Sequence, residues 1–85
     1  MAKTRKDVKK LVLNFTGGHS HFVVYDTLVE ISDVEGTMEL SYTKDHIGHL
    51  LNMSRQSVSR SLSVLEKIGA ITLGNKNSYI KLLVK

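Results

Sequence analysis

Within ten consecutive residues, 54–63, the chain places two arginines, a glutamine and five serines: Arg55, Arg60, Gln56, and Ser54, Ser57, Ser59, Ser61 and Ser63. These side chains exchange hydrogen bonds and carry fixed positive charge, which is a chemistry of recognition rather than of bond breaking. No histidine–carboxylate pair accompanies the serines as an evident triad, and no glycine-rich phosphate loop precedes a helix. An enzyme is therefore not expected. Four histidines raise the question of a metal. His46 and His49 are spaced i, i+3, while His19 and His21 share a loop. No cysteine stands with them, and Asp45 is the one acid at ligand spacing. Solvated or phosphate-facing histidines are expected, with no metal and no other cofactor.

The stretch 43–65 must position these groups. Ile47, Leu50 and Leu51 recur at helical spacing, and Val58, Leu62 and Leu65 do so again. Between the two sets, Asn52 tolerates the left-handed backbone of a sharp turn, and Ser54 can cap the helix that follows. Gly48 removes a side chain where the two helices come closest. Thr43 caps the first helix, and Asp45 suits its positive end. The set describes a helix-turn-helix over 43–68, stopped by Gly69. The second helix of such a unit, here 55–68, usually lies in the DNA major groove.

The rest of the chain supplies the frame. Val8, Leu11, Val12 and Phe15 fit one face of a helix over 4–16, with Thr4 and Asp7 as a capping box and Gly17-Gly18 as its stop. Alternation of Leu11, Leu13 and Phe15 leaves a strand open there. That apolar face can pack on the chain's own core or on a second copy. After a Gly-Gly-His-Ser-His loop, a second helix is expected over 22–32, with Phe22, Tyr25, Leu28, Val29 and, at its edge, Ile31 toward the core; a turn at 33–36 ends it. The Phe22-Val23-Val24-Tyr25 run, with its β-branched residues, leaves a strand open there. Residues 37–42 alternate like a short strand, and 70–73 and 78–84 read as a hairpin around Gly74-Asn75-Lys76-Asn77. The expected fold is mainly α with a small antiparallel β-sheet, a winged helix-turn-helix in one domain over 1–85. Within it lie a basic N-terminal helix (1–18), the helix-turn-helix (43–68) and the wing (70–84).

At 85 residues, 41% of them apolar, the chain can bury one modest core. It has no cysteine, which excludes disulfides, zinc fingers and thiol-ligated clusters. No apolar run has membrane-span length, and the N-terminus has no signal-peptide core, so cytosol is the expected compartment. Its net charge of +4 is segregated. Lys3, Arg5, Lys6, Lys9 and Lys10 face Asp7 alone in the first ten residues. Residues 26–45 hold six acids against Lys44, and six bases then stand against Glu66. A basic face toward a polyanion, with an acidic face turned away, is one reading. A merely solvated surface is the other.

From about residue 22 onward the sequence resembles the DNA-binding domain of the cyclic-AMP receptor and fumarate–nitrate regulator (Crp/Fnr) family. The likeness rests on Ile47-Gly48, Ser54-Arg55, Val58, Arg60 and Leu62, followed by Leu65-Glu66 and Ile71. It implies that the helix over 55–68 enters the major groove. Arg55 and Arg60 would then read guanine edges, Gln56 would pair with adenine, and Ser59 would add a base contact. Thr43, His49, Ser54 and Ser57, with Lys76 and Asn77 on the wing, would hold the DNA backbone. Two positions depart from the family pattern: Ser61 stands where it packs an apolar residue, and Asn52 where it has a turn glycine. Eighty-five residues leave no room for that family's effector-binding β-barrel, so its cyclic-nucleotide, haem or iron–sulfur sensing is not carried over. The chain is expected to be either the DNA-reading module of a longer regulator or a small protein built on it.

The expected function is sequence-specific binding of double-stranded DNA in transcription regulation, with two copies of the chain on adjacent half-sites. No membrane partner is expected, and an activator would add a contact to RNA polymerase. The rival readings are a protein-interaction or dimerisation module, and a plasmid or phage replication or partition factor.

Overall fold

Thr4 starts the first helix with a reciprocal cap. Its hydroxyl accepts the Asp7 N–H at 3.2 Å, and the Asp7 carboxylate accepts the N–H groups of Lys3 and Thr4, each at 3.2 Å. Those amide bonds, that of Lys3 foremost, hold the Asp7 carboxyl below its ordinary value. The computed structural model describes residues 3–74 and 78–85. Among them the elements run α1 (Arg5–Val12), α2 (Gly18–Glu35), β1 (Glu39–Ser41), α3 (Lys44–Leu51), α4 (Arg55–Lys67), β2 (Ile71–Leu73) and β3 (Tyr79–Leu82). The antiparallel sheet is ordered β1-β3-β2, with Leu40 opposite Ile80 and Ile71 opposite Leu82. This is the mainly helical winged helix-turn-helix that the sequence pattern describes. No helix of the described residues is long and apolar enough to cross a membrane.

Both N-terminal helices differ from their expected bounds. α1 ends at Val12 rather than 16, because the chain turns back there through Phe15 N–H to the Val12 carbonyl (3.0 Å) and Gly18 N–H to the Phe15 carbonyl (3.1 Å). Gly18 fits this turn because a Cβ would collide with the Val12 carbonyl and the Leu13 Cα. The Gly-Gly stretch is thus the start of α2 rather than the stop of α1. α2 begins four residues early and runs through the expected turn to Glu35, where Gly36 takes the left-handed cap at φ 70°. His19 and His21 therefore lie on a helix, not in a loop.

One core holds these pieces together. Val8 and Val12 of α1 are fully buried in it, so the apolar face of α1 is spent on the chain's own interior. Val24, Tyr25, Leu28 and Val29 line α2, while Phe22 stays half-buried with Arg5 and Lys9 over its ring at 5.9 and 5.7 Å. The Tyr25 hydroxyl donates to the Val84 carbonyl at 3.1 Å, tying the segment after β3 to α2, and burial raises that phenol above its ordinary pKa. Val58, Leu62 and Leu65 anchor α4 in the same core. Full burial of such a side chain is worth about 1.5–3 kcal/mol, against about 0–1 kcal/mol for an exposed ion pair. α4 is therefore held by its apolar stripe, which leaves its polar stripe free for other work.

Candidate nucleic-acid interface

α3 and α4 are positioned by three local devices. The Thr43 hydroxyl accepts the His46 N–H at 3.1 Å and opens α3. Asn52 ends it in the left-handed conformation, φ 55° and ψ 44°, with its N–H on the Gly48 and His49 carbonyls. The Met53 N–H then bonds the Gly48 carbonyl at 2.8 Å, and a Cβ on residue 48 would stand 2.6 Å from the Met53 carbonyl oxygen. Asparagine thus does the work of a turn glycine, and Gly48 supplies the close approach. Ser54 starts α4, accepting the Ser57 N–H at 3.1 Å while its own hydroxyl donates to Ser57 Oγ at 2.9 Å.

On α4, Val58, Ser61, Leu62 and Leu65 point inward. Gln56, Ser59, Arg60, Ser63 and Lys67 recur at i, i+3, i+4, i+7 and i+11, one continuous polar stripe opposite the buried face. Ser63 and Lys67 were not among the residues singled out by motif. Carrying the helical period two turns past Arg60 finds them. Ser59 is half-buried and accepts from Lys44 Nζ at 3.2 Å, which also brings Lys44 of α3 to this face.

Arg55 lies at the helix entrance with its Nε 3.8 Å from Asp45 Oδ1, and both side chains are largely exposed. At that distance it is a loose ion pair rather than a hydrogen bond, and its energy in water is small enough for Arg55 to leave it. Asp45 therefore sits on the candidate reading side, although the acidic run was expected to face away. The other engaged acids of that run have partners elsewhere in the chain: Asp26 with Arg5, Asp33 with Lys85 (2.6 Å), Glu35 with the Tyr42 hydroxyl (2.5 Å) and Glu39 with the Tyr79 hydroxyl (3.0 Å). The last two bonds hold both phenols above their ordinary pKa.

An open cavity of about 330 Å³ lies beside the contact of His21 with Ser61, with Ser57 and Arg60 on one wall and Thr16, Gly17 and Ser20 on the other. The α2 N-cap, Gly17, has no side chain with which to satisfy the amides of that turn. His49 is exposed and borders a surface recess with Asp45, Asn52 and Arg55. His46 is exposed with Tyr42 edge-on to its ring at 5.0 Å between centroids. His21 corrects the expectation of a solvated histidine. It is only 3% exposed, with Nδ1 2.7 Å from Ser61 Oγ and Nε2 3.0 Å from the Thr16 carbonyl. Among the described residues, no three of His, Asp or Glu form a group able to hold a metal ion. Lys76 and Asn77, named for backbone contact, lie outside the described residues.

Residues 24–83 match the family model of the Crp-like helix-turn-helix domain. The chain belongs to that family. No curated protein and no solved structure matches it. The matched segment starts inside α2 and ends after β3, so it holds the whole helix-turn-helix and the sheet, while α1 and the first turn of α2 precede it. A Crp-like helix-turn-helix domain is a DNA-binding module of transcription regulators, and the polar stripe of α4 belongs to its second helix.

Proposed function

We propose that this Crp-like domain reads double-stranded DNA by sequence, with α4 laid in the major groove. The observation that carries the proposal is the uninterrupted stripe Gln56, Ser59, Arg60, Ser63 and Lys67, displayed on a helix whose opposite face is locked into the core. Thirteen helical residues span about 20 Å, long enough to reach several base pairs in a groove about 12 Å wide. Arg55 and Arg60 take guanine O6 and N7, Gln56 takes adenine, and Ser59 adds a hydroxyl. Thr43, His49, Ser54 and Ser57 hold phosphates, as do Lys76 and Asn77 of the wing. Lys44, Lys67 and the uncapped first turn of α2 extend that set.

One copy makes few contacts, so its affinity should be weak and steep in salt, with a slope near −0.9 for each phosphate neutralised. Two copies on half-sites about 34 Å apart would supply the rest. Retention of a randomised duplex library at two salt concentrations, with sequencing of the bound DNA, tests the reading. An enriched inverted repeat is expected, with retention falling sharply at the higher salt. Retention without any motif would remove sequence reading from the account.

A second reading is favoured by one observation. Val34 is 87% exposed and Leu50 52% exposed, and they border a groove of about 400 Å³ with Ile31, Leu51 and Tyr42, rimmed by Glu30 and Glu35. A protein-interaction module would use this groove and leave Arg55 and Arg60 dispensable.

A further inference from the structure

The buried contact between His21 and Ser61 joins two parts of the chain that the family match separates. His21 lies in the first turn of α2, ahead of residues 24–83, whereas Ser61 lies on α4 inside them. A carbonyl oxygen can only accept, so the 3.0 Å contact from Nε2 to the Thr16 carbonyl places the ring proton on Nε2. In the neutral ring Nδ1 then carries a lone pair, and the Ser61 hydroxyl, 2.7 Å away, donates to it. One rigid imidazole thereby links the backbone of the α1–α2 turn to the inner face of α4. Both of its nitrogens are used, and among the described residues no buried side-chain nitrogen or oxygen lacks a partner.

This tie differs in kind from the apolar packing around it. Leu62 and Leu65 hold α4 on the core through contacts that have no preferred direction. Short hydrogen bonds do have one, and so bear on the rotation of α4 and its position along its axis. Ser61 directly follows Arg60 and stands one helical turn beyond Ser57. Both neighbours face the cavity whose far wall is Thr16, Gly17 and Ser20. The length of the His21 bridge therefore sets how far these α4 side chains stand from the first turn of α2.

We propose that His21 is a positioning residue for DNA reading. Through Ser61 it holds α4 at the rotation and height at which Arg60 meets a base edge, while taking no part in the contact itself. The inference rests on the DNA-reading function proposed above. Its consequence is selective. Phosphate attraction is long-ranged and made by flexible side chains, so it survives a small displacement of α4. Bidentate pairing with a base does not. Loss of the bridge should therefore lower discrimination between sequences more than general affinity for DNA.

The test compares the unsubstituted chain with Ser61→Ala, His21→Gln and the double variant. Each is titrated with a preferred duplex from the library selection and with a scrambled duplex of equal length, at a temperature where circular dichroism shows it folded. Alanine suits a helix interior and removes only the hydroxyl; glutamine keeps a donor for the Thr16 carbonyl but gives up the Nδ1 acceptor. The ratio of the two dissociation constants is expected to fall about tenfold in either single variant and little further in the double variant, with scrambled-duplex binding nearly constant. An unchanged ratio overturns the proposal, as does equal weakening on both duplexes. Because Ser61→Ala and His21→Gln break the same bond from opposite sides, a loss in only one of them also overturns it. If the unsubstituted chain itself shows no preference, the DNA-reading function fails and this inference fails with it.

Discussion

Alanine at position 48 is expected to cost the domain about 1–3 kcal/mol and to weaken DNA binding with it. Two effects oppose each other. Alanine is a better helix former than glycine by about 0.8–1 kcal/mol, which favours the substitution in the last turn of α3. Against this, the new Cβ would stand 2.6 Å from the Met53 carbonyl oxygen, an atom of the backbone that cannot rotate aside. That carbonyl belongs to a turn already fixed by the left-handed Asn52 and by the Met53 N–H bond to the Gly48 carbonyl. Relief has to come from moving the turn away from α3, which shifts the start of α4 and with it Ser54, Arg55 and Ser57. Thermal melting should show the penalty as a fall of about 4–8 °C per kcal/mol in a chain of this size. An unchanged or higher midpoint would mean that the turn has slack, and that Gly48 does not set the spacing of α3 and α4.

Arg60→Ala should lower affinity for the preferred duplex by about 1–3 kcal/mol and flatten base preference at a single step. Among the described residues no carboxylate pairs with Arg60, whereas Arg55 stands beside Asp45. Arg60 therefore meets DNA without first giving up an ion pair. Its place in the stripe, between Gln56 and Ser63, puts it over the central part of α4 rather than at its entrance. Arg60→Lys separates charge from geometry: lysine keeps the positive charge but loses the planar fork that pairs with guanine O6 and N7. Titration against duplexes varied one step at a time should show general binding kept by lysine and base preference lost. A loss spread evenly over all sequences would make Arg60 a phosphate contact instead.

The helix-turn-helix was legible because its signals are local. Thr43, Asn52 and Ser54 each act within three or four residues of themselves, and the structure finds each of them at its cap. α4 ends at Lys67, one residue from its expected bound. The first turn of α2 was not legible, since Gly17, Gly18, His19, Ser20 and His21 have the composition of a loop. What makes it helical is tertiary: the fit of Gly18 against the Val12 backbone and the burial of His21. Ser61 looked like a departure from an apolar pattern because its partner lies 40 residues away. No periodicity in either segment points to the other. Phe22 packs against the core but is only half-buried, with Arg5 and Lys9 over its ring, while Val24 is buried as well.

The claim that α4 is the reading element can be tested most directly by following backbone amide signals, residue by residue, as a duplex is added at low salt. The largest changes are expected on residues 54–67, with smaller ones at Thr43, Lys44 and the first turn of α2. Changes centred instead on Ile31, Val34, Leu50 and Leu51, with residues 54–67 unmoved, would contradict that claim and move the function of this domain to the groove those residues line.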